Sequence, residues 1–272
     1  MAYAEFKLCG GTFEAQLNDV SQEIAEPLFE ELIMEGRRLE RIFNLFDNQS
    51  ELSKLNSRRK LIVSDEMAFV LRRALYFKTL TCGAFDVTRG REILERKGVN
   101  RKSGKERGNA EIFLRGNKAA LEGDFIIDLG AIAKGYIADR LAEFMRERGV
   151  ESGIINARGD MICFGPDEFE IEIENPFDER RVIETLKVKN KAVATSGTYR
   201  QFFGSLEKSH IIGTKELISA TAVSESLTDA DAIATSLMVL PSFRREDFLR
   251  EFKGAKAILA ENDGSISTLE AQ

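Results

Sequence analysis

Apolar and polar residues alternate from residue 5 to 17 around Gly10-Gly11, the period of a strand or hairpin. From residue 21 to 45 the period lengthens. Ile24, Leu28, Leu32, Met34, Leu39, Ile42 and Phe43 recur at helical spacing. A second helix is predicted from Ser64 to about Leu80, with Ser64 as its cap and Asp65 and Glu66 in the positive first turn. Both helices are expected to pack on one sheet. The stretch from Arg96 to Arg107 is polar, basic and dotted with glycine, which predicts a solvated loop. Short apolar runs from Ile112 to Asp128 predict strands, and residues 131 to 147 a helix that stops at Gly149. Four or more strands should follow. Phe169 to Glu174 alternates strictly, so its acids face solvent and are no metal ligands. Helices are predicted at residues 227–239 and 245–252, and Asn262-Asp263-Gly264 marks a turn between closing strands.

Composition narrows the class of protein. At 272 residues the chain can bury a sizeable core, and 43% hydrophobic with 31% charged residues is the balance of a folded globular protein. No linker or short-period repeat interrupts it, so one compact α+β unit is expected. The formal net charge of −6 provides no basic field for a nucleic-acid backbone. Cys9, Cys82 and Cys163 have neither disulfide nor zinc spacing and are expected to be buried thiols in a reducing compartment. Residues 1 to 7 lack a basic stretch followed by an apolar run, and no 18 apolar residues run together. The expectation is a cytoplasmic protein with no signal peptide, lipid anchor or transmembrane segment.

Four places carry candidate chemistry. His210 is the only histidine, and imidazole is the side chain whose ordinary pKa suits a general base near neutral pH. A lone histidine among apolar residues also serves as a hydrogen-bonded structural residue. Phe125-Ile126-Ile127 reads as a strand ending at Asp128-Leu129-Gly130, after which Ala131 to Tyr136 opens a helix. Such a turn aims free N–H groups and a positive dipole end at one point, which suits a phosphate, with Lys134 adding charge; it is equally an ordinary strand-to-helix turn. Asp231 and Thr235 stand four residues apart on one helix face, oxygen donors fit for Mg²⁺ or for a helix cap. Gly83-Ala84-Phe85-Asp86 through Gly90 is either a loop that approaches a planar ligand or a helix stop; Asn48 to Asn56, by contrast, reads only as a capped polar turn.

Taken together, the ordered blocks are Gly11-Thr12-Phe13, Ser50-Glu51-Leu52-Ser53-Lys54-Leu55-Asn56, Gly83-Ala84-Phe85-Asp86, Asp128 to Tyr136, Asn156-Ala157-Arg158-Gly159-Asp160, Thr195-Ser196-Gly197 with His210-Ile211-Ile212, and Ala230 to Thr235. In order and content they resemble the ApbE-like family, the FAD:protein FMN transferases. The resemblance implies a single α+β unit over residues 1–272, two closely packed lobes with mixed or antiparallel sheets and flanking helices, and FAD held between them. It implies Mg²⁺ on the FAD pyrophosphate, held by Asp231, Thr235 and the main-chain carbonyl of Ala131. FAD contacts carry over to Phe46, Ala84, Phe85, Asp86, Asp128, Lys134, Ser196 and Gly197. The implied reaction breaks the pyrophosphate of FAD, transfers FMN to a Thr or Ser hydroxyl of an acceptor flavoprotein and releases AMP, with His210 taking the hydroxyl proton. Two alternatives share the fold: an FAD pyrophosphatase that gives FMN and AMP, and a non-catalytic FAD-binding protein.

The chain departs from the family pattern at several positions. After His210-Ile211-Ile212 it reads Gly213-Thr214-Lys215-Glu216 where Asp-Pro and then Thr-Gly are usual. Arg158 replaces the first glycine of Gly-Gly-Asp, where it either crowds a nucleotide or contacts phosphate. Val87 and Arg91 stand where prolines are common. Leu217 to Thr221 contains Ser-Ala-Thr, similar to an acceptor sequence, but its surroundings predict an interior strand.

Overall fold

A computed structural model describes residues 1–96, 98, 107–178, 180–198 and 216–271. The predicted hairpin forms as β1 (Ala2–Leu8) and β2 (Gly11–Leu17), paired antiparallel from Ala2↔Leu17 to Leu8↔Gly11. They begin an eight-stranded sheet whose other members are β6 (Gly153–Ala157), β7 (Asp160–Phe164), β10 (Ala192–Gly197), β11 (Leu217–Ser224), β12 (Lys256–Glu261) and β13 (Ile266–Glu270). The strand order is β1-β2-β6-β7-β10-β11-β12-β13, antiparallel at every step. Β-strand Leu217–Ser224 therefore lies inside the sheet, as its apolar pattern predicts.

Alternation along these strands sorts their side chains onto two faces. Ile155, Ala157, Ile162, Phe164, Ala192, Ala194, Ala220, Ala222, Ala257 and Leu259 join one core with the helices. Met161, Cys163, Val193 and Ile258 join a second core, capped by a hairpin of β8 (Phe169–Glu174) and β9 (Val182–Val188). In β8 the phenylalanine and isoleucines are buried and the three glutamates exposed, as the strict alternation requires.

On the helix side lie α1 (Gln22–Phe43), α5 (Ala133–Glu147) and α6 (Leu227–Val239). Alanines of β10 and β11 leave room for α6 to pack close to the sheet. The helix α3 (Asp65–Leu80) starts where predicted, its Ser64 hydroxyl accepting from the Met67 N–H at 3.2 Å. It packs chiefly against α1, α6 and strand β4 (Arg107–Arg115) rather than on the large sheet, which corrects the expectation of one shared sheet. A small sheet of β3 (Lys60–Ile62), β5 (Lys118–Asp124) and β4 flanks it. The last helix, α7 (Ser242–Arg250), begins just after Pro241, earlier than its predicted start. Of the predicted basic loop, residues 97 and 99–106 lie outside the described residues. No helix among the described residues is long and apolar enough to cross a membrane.

Two further expectations need correction. Of the predicted Asn48–Asn56 turn only Asn48 to Ser50 turn; from Glu51 the chain is the helix α2 (Glu51–Arg58), with Ser50 as its cap. Phe125-Ile126-Ile127 is not a ladder strand; it is an extended segment with one isolated parallel bridge, Arg89↔Ile126. Side chains of α2 and its end supply what a partner strand would. The Asn56 amide accepts from the Ile127 N–H at 2.8 Å and donates to the Ile127 carbonyl at 2.9 Å. Arg59 donates to the carbonyls of Phe125 and Gly123 at 2.8 and 2.6 Å. Asn56→Ala leaves both Ile127 groups unmet and should cost about 2 kcal/mol, read as a lower urea midpoint at unchanged m-value.

Candidate functional site

The braced segment ends in the turn that opens α5. Asp128 Oδ1 accepts from the Gly130 N–H at 2.9 Å, and the Asp128 N–H donates to the Val87 carbonyl at 2.9 Å. The second bond lays the Gly83–Gly90 loop beside the Asp128 turn. The loop ends where α4 (Gly90–Arg96) begins, and there it comes so close that a Cβ on Gly90 would stand 2.6 Å from the Ile126 carbonyl oxygen. Within it, Asp86 Oδ1 accepts from the N–H and hydroxyl of Thr88 at 3.0 and 2.9 Å, and Oδ2 pairs with Lys78 at 2.9 Å. The Phe85 ring is buried and packs on Phe77 with centroids 5.6 Å apart, while Ala84 is half-buried. Phe46 stands exposed just beyond α1. One group of predicted residues thus shapes a loop pair, with the Phe85 side chain given to the core.

The second group converges more tightly. Lys134, in the first turn of α5, forms an ion pair with Asp160 at the start of β7. The other Asp160 oxygen accepts from the Thr195 N–H at 2.9 Å, so one carboxylate ties α5 to β10. On β10 the next residue, Ser196, hydrogen-bonds Thr235 of α6 through their hydroxyls at 3.0 Å. Gly197 closes the strand opposite Ser219. Asp231 is 6% exposed on a helix buried on nearly every side, and its Oδ2 has no hydrogen-bond partner among the described residues. The Gly135 N–H favours the charged form of the same carboxylate, holding its pKa down. In an uninterrupted helix that N–H would serve the carbonyl of Ala131.

The helix-cap alternative for the acids at the start of α6 does not hold for Asp231. Ser226 takes the cap position and accepts from the Asp229 N–H at 3.2 Å. Asp229 instead holds Arg73 of α3 through two bonds of 2.6 and 2.8 Å. Asp231 is left with a buried charge that no structural partner neutralises completely. Burial raises its pKa; the Lys134 charge and the Gly135 N–H oppose that rise, while Asp160 and Asp139 add to it. For Lys134 burial acts downward, but the negative charges of Asp231 and Asp160 outweigh it and keep the ammonium above its ordinary value.

Arg158, the departure at the β6–β7 turn, has φ +63° and folds over the first hairpin. A Cβ on Gly11 would meet its Nε at 2.4 Å, and its Nη1 lies 3.5 Å from the Cys9 carbonyl. Cys9 beneath it is half-buried, and burial with the Glu40 charge pushes the thiol up to about 12. Of the three cysteines expected to be buried, only Cys163 is; Cys82 is exposed in the chain reversal that ends α3. An open groove of about 970 Å³ is lined by residues including Phe69, Arg72, Tyr136, Asp139, Arg140 and Thr228, and by none of the predicted site residues.

His210 lies outside the described residues. Asp160 was missed as a site residue, although an acid directly after Arg158-Gly159, both with positive φ, sits on a turn that projects it toward the neighbouring elements. Gly135 and Asp139 were also missed. Their signal is spacing: Gly135 and Asp139 stand four residues apart on α5, in step with Ala131 in the turn before it, as Leu227, Asp231 and Thr235 do along α6.

Residues 10–259 match the model of the ApbE family. The chain belongs to the ApbE family. It is similar to the FAD:protein FMN transferase of Klebsiella pneumoniae (strain 342), 35% identical over 150 residues that cover 52% of this chain and 47% of that relative. It is also similar to the enzyme of that name from Vibrio cholerae serotype O1, 28% identical over 233 residues, 72% of this chain and 68% of the relative. Among solved structures, the ApbE protein from Thermotoga maritima superimposes with a TM-score of 0.82 at 25% identity, covering 98% of this chain and 97% of that one. The flavin transferase ApbE from Vibrio cholerae gives 0.80 at 21% identity, covering 100% and 97%. The α+β architecture expected from sequence is therefore the architecture of this family.

Proposed function

We propose that the chain is an Mg²⁺-dependent FAD:protein FMN transferase, one domain over residues 1–272, acting on a Thr or Ser hydroxyl of an acceptor flavoprotein in the cytoplasm. The observation that carries the metal part is the unpartnered Oδ2 of buried Asp231. An orphaned carboxylate oxygen is costly unless something binds it, and a hard divalent cation is the fitting partner. The donor types match: carboxylate of Asp231, hydroxyl of Thr235 and main-chain carbonyl of Ala131, all oxygen. Mg²⁺ bound there would supply positive charge to the FAD pyrophosphate.

The remaining roles fall to the chain itself. Lys134, held in place by Asp160, sets a fixed positive charge at the start of α5, where the helix dipole also favours phosphate. Phe46, Ala84, Phe85, Asp86 and Asp128 would line the flavin nucleotide along the loop pair, the buried Phe85 contributing through its main chain. Ser196 and Gly197 end β10 beside Thr235, on the same side of the site as Asp231. His210 is proposed to accept the proton of the acceptor hydroxyl as its oxygen bonds to the FMN phosphorus and the bond to AMP breaks.

AMP released from FAD, followed by chromatography with and without an acceptor flavoprotein, tests this reading. Release is expected only with acceptor present, accompanied by FMN on the acceptor. His210→Ala should slow it by about 10²–10⁴-fold while FAD binding persists. Equal release without acceptor would make the chain a pyrophosphatase, and FAD retained without product would make it a binding protein.

A further inference from the structure

The start of α6 is held by a carboxylate that belongs to another helix. Asp139, in the middle of α5, accepts from the Leu227 N–H at 2.7 Å, the Thr228 N–H at 2.8 Å and the Thr228 hydroxyl at 2.6 Å. Helix starts carry N–H groups with no partner inside the helix, and a carboxylate there also meets the positive end of the dipole. Burial pushes Asp139 up to about 6, while the bonds from Thr228 and Leu227 oppose the rise. Three bonds to one side chain make this a rigid clamp.

The clamp sits at a defined place in the crossing of the two helices. One turn earlier on α5, the Gly135 N–H is turned toward Asp231, one turn further along α6, and holds the pKa of that carboxylate down. At Gly135 the backbones nearly touch, since a Cβ would stand 2.3 Å from the Leu227 carbonyl oxygen. Moving toward the start of α5 therefore leads along α6 in four-residue steps: Asp139 with Leu227 and Thr228, then Gly135 with Asp231. Ala131 lies in the turn just before α5, and Thr235 stands one turn beyond Asp231 on α6. Those two residues and Asp231 are the three proposed metal ligands.

We infer that Asp139 is a positioning residue of the metal site: its clamp on Leu227 and Thr228 fixes the α5–α6 register that brings Ala131, Asp231 and Thr235 together. The inference rests on the proposed metal reading. It explains why the chain places a half-buried carboxylate on a helix start that Ser226 already caps. Slippage of α6 by a fraction of a turn would leave every element in place and separate the donors.

The test is Mn²⁺ binding to the full chain by electron paramagnetic resonance, beside thermal melts, for wild type, Asp139→Asn and Thr228→Val. An asparagine amide turns a donor toward one of the N–H groups, and valine removes only the hydroxyl bond. Asp139→Asn is expected to weaken Mn²⁺ about 10–100-fold, the range for loss of groups that orient metal ligands, and Thr228→Val, which removes one of three bonds, about threefold. FAD affinity in chelator should stay within about twofold, and saturating Mg²⁺ should restore AMP release toward wild type, a KM effect for metal. If Asp139→Asn does not fold, Thr228→Val decides. Wild-type Mn²⁺ affinity in the folded variants, with only the melting temperature lowered, would overturn the inference and leave the metal reading intact. No Mn²⁺ binding to wild type would overturn both.

Discussion

Asp231→Asn is expected to lower Mg²⁺-dependent AMP release from FAD by at least about 10³-fold, equivalent to about 4 kcal/mol of transition-state stabilisation. Its effect on stability should run the other way. Asp231 is almost fully buried, one of its oxygens is unpartnered, and Asp160 adds a second negative charge nearby. Asparagine keeps the size and a carbonyl oxygen while removing the buried charge, so the melting temperature should hold or rise. Activity assays beside calorimetry check the pair of outcomes. Lost activity with an equally lost fold would make Asp231 an ordinary structural residue.

Gly135→Ala should produce the largest loss of stability. The added Cβ would lie 2.3, 2.6 and 2.9 Å from the Leu227 carbonyl oxygen, the Leu227 carbonyl carbon and the Thr228 nitrogen, all backbone atoms of α6. Backbone cannot rotate aside as a side chain can, so the helices must part. A cost of about 3 kcal/mol is expected from such overpacking, lowering the melting temperature by roughly 5–10 °C. Gly10→Ala provides the contrast: nothing lies within 4 Å of its Cβ position, and only φ +69° opposes the change, at about 1 kcal/mol. Equal losses at the two positions would contradict the close crossing of α5 and α6.

The helices α3 and α6 and the strand β8 were legible in the sequence because each carries its own local signal. Ser64 before two acids marks a helix start, and Phe169 to Glu174 alternates without a break. What failed to show was set by partners distant in the chain. Phe125 to Ile127 has the composition of a buried strand, yet its backbone is satisfied by the side chains of Asn56 and Arg59. Apolar content alone does not distinguish those two environments. The Ser50 block looked like a turn because only Leu52 and Leu55 of its eight-residue helix are buried.

The same division runs through the site. Asp231 and Thr235 could be paired from their spacing on one helix, and Lys134 from its place at a helix start. That Asp160 would take one side of Lys134, and that Asp139 would fasten the start of α6, depends on how three elements meet. The family resemblance supplied the block order that local patterns could not. It did not indicate that Phe85 turns its ring into the core, nor that Arg158 lies across Gly11. Those placements follow from packing of this chain's own side chains.

The most direct test of the central claim is an FAD titration of the purified chain, followed by flavin fluorescence, with Mg²⁺ and with a chelator, for wild type and Asp231→Asn. Saturable one-to-one binding that Mg²⁺ tightens in wild type, with that tightening lost in Asp231→Asn, is the predicted result. Absence of saturable binding, or binding indifferent both to Mg²⁺ and to the substitution, would contradict a flavin nucleotide site built around Asp231.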